Sequence, residues 1–155
     1  MGNLFNEDFR DFLEALRRSD VRYVLVGGYS VILHGYSRTT GDLDIWVEKT
    51  ADNYARLVRA FHDFGMPTFD MTAENFLNRP EFDVFTFGRS PVAIDIITKL
   101  KGLDFVEAYA QATDVTVEGL IVRLIHYQHL LQAKRAAGRP RDQNDLDNLL
   151  NRKLK

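Results

Sequence analysis

The run Thr40-Gly41-Asp42-Leu43-Asp44-Ile45-Trp46-Val47 restricts the possible folds of this chain more than any other segment. Side chains alternate between faces along a strand, so residues two apart point the same way. A strand over 43–47 therefore sends Leu43, Ile45 and Val47 into a core, with Asp42 and Asp44 projecting together from its start. Like charges held side by side repel, and a fold rarely keeps them so without a cation between them. A third carboxylate, Asp95, lies within Val92-Ala93-Ile94-Asp95-Ile96-Ile97, an otherwise apolar strand-like run. An unpaired charge there is costly to bury. Three convergent oxygen ligands are what a hard divalent ion such as magnesium requires. A purely structural metal site would use the same three residues.

The surrounding pattern predicts alternating helices and strands. Asn6 or Glu7 opens a helix with Phe9, Phe12, Leu13 and Leu16 at helical spacing. Tyr23-Val24-Leu25-Val26 reads as a buried strand ended by Gly27-Gly28, and residues 29–35 suit a short helix closed by Gly35. Thr50 caps a helix over 52–64 whose inward face is Tyr54, Leu57, Val58 and Phe61, with Gly65 ending it. A turn of helix falls near 73–77. Strands at 82–87 and 92–97 are joined by a hairpin through Gly88-Arg89-Ser90-Pro91. Beyond them come a helix at 103–111, strands near 114–118 and 120–123, a helix over 125–137 stopped by Gly138 and Pro140, and a last helix from about Asp142 to Leu150. A hairpin-bearing sheet interleaved with helices favours a mixed sheet over a parallel one.

At 155 residues the chain suits one domain, residues 1–155. The net charge of −2 gives no general affinity for nucleic acid. The absence of cysteine excludes disulfides and thiolate zinc sites and fits a reducing compartment. No apolar stretch is long enough to span a bilayer, and the first residues lack a secretion signal, so the expectation is a cytoplasmic protein without a membrane partner.

Glycine has no Cβ, so Gly27-Gly28 lets backbone amides close on a phosphate, and the helix that follows adds free N–H groups. Ser30 can add a hydroxyl. A tight strand-to-helix turn needs the same glycines. His126 and His129 share a helix, but the further ligands of a zinc site are missing, and structural or surface roles fit them and His62 better. His34, near the glycine turn, either faces a ligand held there or packs, and Trp46 either lies near the aspartates or covers the sheet. Arg38, Lys99, Lys101, Arg139 and Arg141 can form one local basic patch, which matters if RNA is bound.

The stretch from Gly27-Gly28 through Arg38, Thr39, Thr40 and Gly41 to Asp42 and Asp44 resembles the nucleotidyltransferase superfamily, specifically its minimal nucleotidyltransferase branch and the AbiEii-like toxins related to it. In that superfamily a glycine turn precedes a helix, a paired-aspartate strand follows, and a later strand carries a third carboxylate, the place of Asp95. Gly-Ser is usual there where this chain has Gly27-Gly28. Lys134 through Leu146 gives a second match, to a helical lysine followed by an Arg-Asp-x-x-Asp-Leu segment. The resemblance implies an α+β fold of the polymerase-beta-like nucleotidyltransferase kind, with a mixed β-sheet flanked by helices. It implies catalytic and metal roles for Asp42, Asp44 and Asp95 with magnesium or manganese. Nucleotide binding would fall to Gly27, Gly28, Ser30, Arg38, Thr40 and Lys134, with Asp145 orienting the lysine or binding at the same site.

The implied reaction moves a nucleoside monophosphate from a nucleoside triphosphate to a protein or RNA hydroxyl, with a toxin–antitoxin partner as a further implication. A catalytically silent nucleotide-binding or interaction module is the alternative.

Overall fold

The computed structural model describes residues 4–89 and 92–154, with side chains through residue 151. Six strands form one mixed sheet in the order β3-β4-β2-β1-β6-β5. These are β1 (Tyr23–Val26), β2 (Leu43–Val47), β3 (Val84–Phe87), β4 (Ile94–Ile97), β5 (Thr113–Val117) and β6 (Leu120–Leu124). β1 runs antiparallel to β2 but parallel to β6, and β2 runs parallel to β4. The α+β mixed sheet expected from the sequence is therefore present.

Strict alternation divides the sheet into two chemically different faces. Leu43, Ile45 and Val47 are fully buried and, in register with Ile94 and Ile96, form one apolar face. Phe85 and Phe87 extend it on β3. Helices α1 (Glu7–Arg18) and α3 (Ala51–Phe64) cover this face, with Phe61 edge-on to both Phe12 and Phe87. Asn6 caps α1 by accepting from the Phe9 N–H, and Thr50 caps α3 by accepting from Asn53 N–H. The inward face of α3 differs from the expectation at one position. Val58 is exposed, whereas Asn53 and Ala60 are buried. Asn53 is satisfied there, bonding to the backbone of Arg22 and Glu48 and so tying the helix to the sheet edge.

The opposite face carries Asp44 and Trp46 on β2 and Asp95 and Ile97 on β4, paired in register. Trp46 does not border the aspartates' cleft; it is buried edge-on against Phe105 of α5 (Phe105–Gln111). Helix α6 (Tyr127–Ala137) lies toward this face and packs against α7 (Pro140–Leu154). His126 caps α6 through Nδ1, and His34 bonds the Ile125 carbonyl at 2.7 Å while its ring packs near Tyr127. Both histidines therefore serve packing and capping. The short helix α4 (Ala73–Asn78) confirms the expected turn. Of the hairpin connection between β3 and β4, Ser90 and Pro91 lie outside the described residues. Among the described residues, no helix is long and apolar enough to cross a membrane.

Candidate active site

β1 ends at Val26, opposite Asp44, and α2 (Gly27–Leu33) begins at once. Gly27 adopts φ +71°, a conformation costly for a side-chain-bearing residue. A Cβ at Gly27 would overlap the Asp44 carboxylate, and one at Gly28 would overlap the Thr40 hydroxyl. Both glycines are thus needed so that the aspartate strand and the loop before it can lie against the turn. Gly28→Val should displace Thr40 and lower thermal stability as well as nucleotide affinity. Thermal melts and titrations of this variant check that joint loss, which differs from a purely phosphate-directed role.

Asp42 and Asp44 contribute differently. Asp42 Oδ1 accepts from the Ala93 N–H at 2.9 Å, and Leu43 N donates to the Ala93 carbonyl at the same distance. These two bonds join the start of β2 to the start of β4 and place Asp44 directly beside Asp95. Neighbouring strands are about 4.8 Å apart, so the two carboxylates interact across the ladder. Burial, and then the charge and hydrogen bond of Asp95, push the Asp44 carboxyl up to about 7. Asp95 Oδ1 also accepts from the Thr86 hydroxyl at 2.7 Å.

Two carboxylates thus stand side by side where a cation could sit. Among the described residues, no three acidic or histidine side chains stand together as ready-made metal ligands. The donor chemistry nonetheless suits a hard ion, because all three candidates are carboxylates and a cation between them would offset the burial and repulsion that raise the Asp44 carboxyl.

A cleft of about 470 Å³ opens on these residues, lined by Gly27, Gly28, Arg38, Thr40, Asp42, Asp44, Asp95, Lys134 and Asp145. Ser30 is the exception among the expected site residues. It is fully buried and its hydroxyl donates to the Gly27 carbonyl at 2.6 Å, which locks the turn and leaves nothing for a phosphate. The larger basic patch is likewise only partly assembled: Arg38, Arg139 and Arg141 line the cleft, whereas Lys99 and Lys101 do not.

Helices α6 and α7 supply the opposite wall. Arg38 forks onto Asp145 with bonds of 2.7 and 2.9 Å, and Lys134 Nζ stands 3.0 Å from Asp145 and 3.3 Å from Asp142. Arg139 Nε reaches Asp142 at 2.6 Å. Burial alone would raise the Asp142 carboxyl. The Arg139 hydrogen bond and the Lys134 charge outweigh it and hold Asp142 below the usual carboxylate range. Lys134 and Asp145 thus pair directly, and Lys134 is largely buried. Asp142 and Asn144 were not singled out from the sequence as site residues. For Asp142 the usable signal was its place one helical turn before Asp145, which puts both carboxylates on one face of α7.

A mixed sheet bearing paired carboxylates, with a glycine turn beside them, defines a nucleotidyltransferase fold, and solved structures agree. A Thermotoga maritima protein described as a nucleotidyltransferase superposes with a TM-score of 0.57 at 17% identity, over 93% of this chain and 91% of that one. The lincosamide antibiotic adenylyltransferase LnuA, solved with lincomycin bound, gives a TM-score of 0.60 at 15% identity, over 96% and 98% of the two chains. No curated protein matches the sequence. The family model described as aminoglycoside-2''-adenylyltransferase matches residues 8–149. The chain belongs to that family and, with it, to the nucleotidyltransferase superfamily expected from the sequence.

Proposed function

We propose that the chain transfers a nucleoside monophosphate from a nucleoside triphosphate to an acceptor hydroxyl, with Asp42, Asp44 and Asp95 holding magnesium or manganese. The observation that carries this reading is the Asp44–Asp95 pair, two neighbouring carboxylates in a cleft also lined by glycine backbone and basic side chains. Divalent ions bound there would neutralise triphosphate charge and make the acceptor hydroxyl easier to deprotonate. Gly27 and Gly28 contribute the first amides of α2, which lack partners within the helix and suit phosphate oxygens. Lys134 adds positive charge, and Asp142 and Asp145 hold its head in place. The acceptor oxygen bonds to the α-phosphorus as the bond from that phosphorus to the bridging oxygen breaks. Pyrophosphate leaves with that electron pair, and the hydroxyl proton passes to water.

The antibiotic-modifying family suggests a small hydroxylated molecule as acceptor. In the second reading, the chain is an AbiEii-like member of a toxin–antitoxin pair that modifies an RNA or protein hydroxyl. Arg139 and Arg141 beside the cleft favour it. Labelled-nucleotide transfer to small hydroxyl compounds, transfer RNA and extract proteins separates the two.

Magnesium-dependent binding of a triphosphate, measured by calorimetry, tests the site itself. Lys134→Ala should weaken that binding by about 1.5–3 kcal/mol, the range for a charge-assisted contact. It should also destabilise the fold, because two buried carboxylates lose a shared partner. Lys134→Arg should recover only part of the affinity, since a planar fork presents charge differently from a compact ammonium. Triphosphate affinity equal to wild type in Lys134→Ala would remove the lysine from the site.

A further inference from the structure

We infer that the acceptor is a hydroxyl compound with an apolar body and at most one positive charge, seated beside Asp95 in a second cavity. This rests on the nucleotidyl-transfer reading above. The cavity, about 230 Å³, shares Asp44, Asp95 and Lys134 with the main cleft, so it opens on the same carboxylates. Gly28, Arg38 and Thr40 line only the main cleft, which places the triphosphate on that side and leaves the second cavity to the attacking hydroxyl.

Beyond the charged side chains of Asp44, Asp95, Lys134, Arg139, Arg141 and Asp142, its lining is apolar. Ile97 follows Asp95 by two residues on the same face of β4, and Val84 pairs with Ile97 from β3. Leu100, Leu130, Ala133 and Ala137 complete the enclosure from the following loop and α6. Val84 is 45% exposed, an apolar side chain left uncovered at the cavity wall. Small-molecule sites are commonly mostly apolar with a few polar groups that fix orientation, and this cavity has that composition.

Charge decides against a polycation. A substrate with several ammonium groups, as aminoglycosides have, needs carboxylates to spare. Asp44 and Asp95 are committed to the reaction, and Asp142 is paired with Arg139 and Lys134. In the main cleft Asp145 is paired with Arg38 and Lys134. Arg141 adds another positive group to both spaces. Among the described lining residues, every carboxylate outside the three candidate metal ligands is already matched by a basic side chain. A polyamine would meet an apolar wall and like charge, which selects against it.

The test uses the full chain with magnesium and a non-hydrolysable ATP analogue, titrated by calorimetry with glucose, hexyl β-D-glucoside and kanamycin. The hexyl glucoside should bind at least tenfold tighter than glucose, and kanamycin no tighter than glucose. Val84→Asp should weaken the glucoside at least fivefold and improve kanamycin, with affinity for the ATP analogue serving as the check on folding. A hexyl chain that adds less than tenfold, or kanamycin binding tighter than the glucoside, overturns the inference. Failure of the parent reading would look different. The ATP analogue would show no magnesium-dependent binding, while the preference for the glucoside over glucose persisted in nucleotide-free protein.

Discussion

Asp44→Asn is expected to abolish nucleotidyl transfer while making the metal-free protein more stable at pH 8. Loss of a proposed metal ligand should lower turnover by at least about 10³-fold, equivalent to roughly 4 kcal/mol of transition-state stabilisation. The stability effect follows from the raised carboxyl. Asp44 titrates near 7 in the fold and near 3.8 when unfolded, so between those values the native state holds a proton that the unfolded state has released. Stability therefore falls as pH rises through that window and stays low above it. The span corresponds to at most about 4 kcal/mol. Denaturant midpoints in EDTA at pH 5 and pH 8 should show this decline in wild type and a much smaller one in Asp44→Asn. Magnesium should restore the wild type at pH 8 and leave the variant unchanged. Asp142, held below its usual range, loses stability only as pH falls below about 3.8, so it does not mask the effect. A wild-type midpoint independent of pH across the window would mean that burial beside Asp95 does not raise the Asp44 carboxyl.

Asp145→Ala should be the most destabilising single change at the site, by about 3–5 kcal/mol, the cost of removing one partner from a buried charge network. The residue is 1% exposed and neutralises two cations at once, Arg38 from the loop before β2 and Lys134 from α6. Its loss leaves both without that carboxylate and releases α7 from the cleft. Asp145→Asn should cost less, since an amide oxygen can still accept from one of them. Arg38→Ala should fall between, because Lys134 continues to satisfy Asp145. Urea midpoints for the three variants, taken with unchanged slope, would test that order. Equal effects from Asp145→Ala and Arg38→Ala would show that the network carries no coupling through Lys134.

Local patterns in the sequence identify much of this protein. The two-residue period of Leu43, Ile45 and Val47 sets the buried face of β2, and it places Asp44 on the other side. The caps at Asn6 and Thr50 and the stops at Gly65 and Gly138 fall where the sequence puts them because capping depends on neighbouring backbone alone. The apolar run around Asp95 likewise marks a strand with one unusual acid.

Contacts between distant segments were decided only by the tertiary structure. Ser30 turns inward because α2 starts directly at Gly27, bringing its hydroxyl onto the Gly27 carbonyl. Val58 faces outward because α3 is rotated to bury Asn53 against the sheet edge. Asp142 joins Lys134 and Arg139 only once α6 and α7 fold back on one another. The apolar second cavity needs β3, β4 and α6 together. Periodicity and capping act within a few residues and can be read along the chain. Ion pairing and enclosure depend on which distant segments the sheet order makes neighbours, and the chain settles that only by folding.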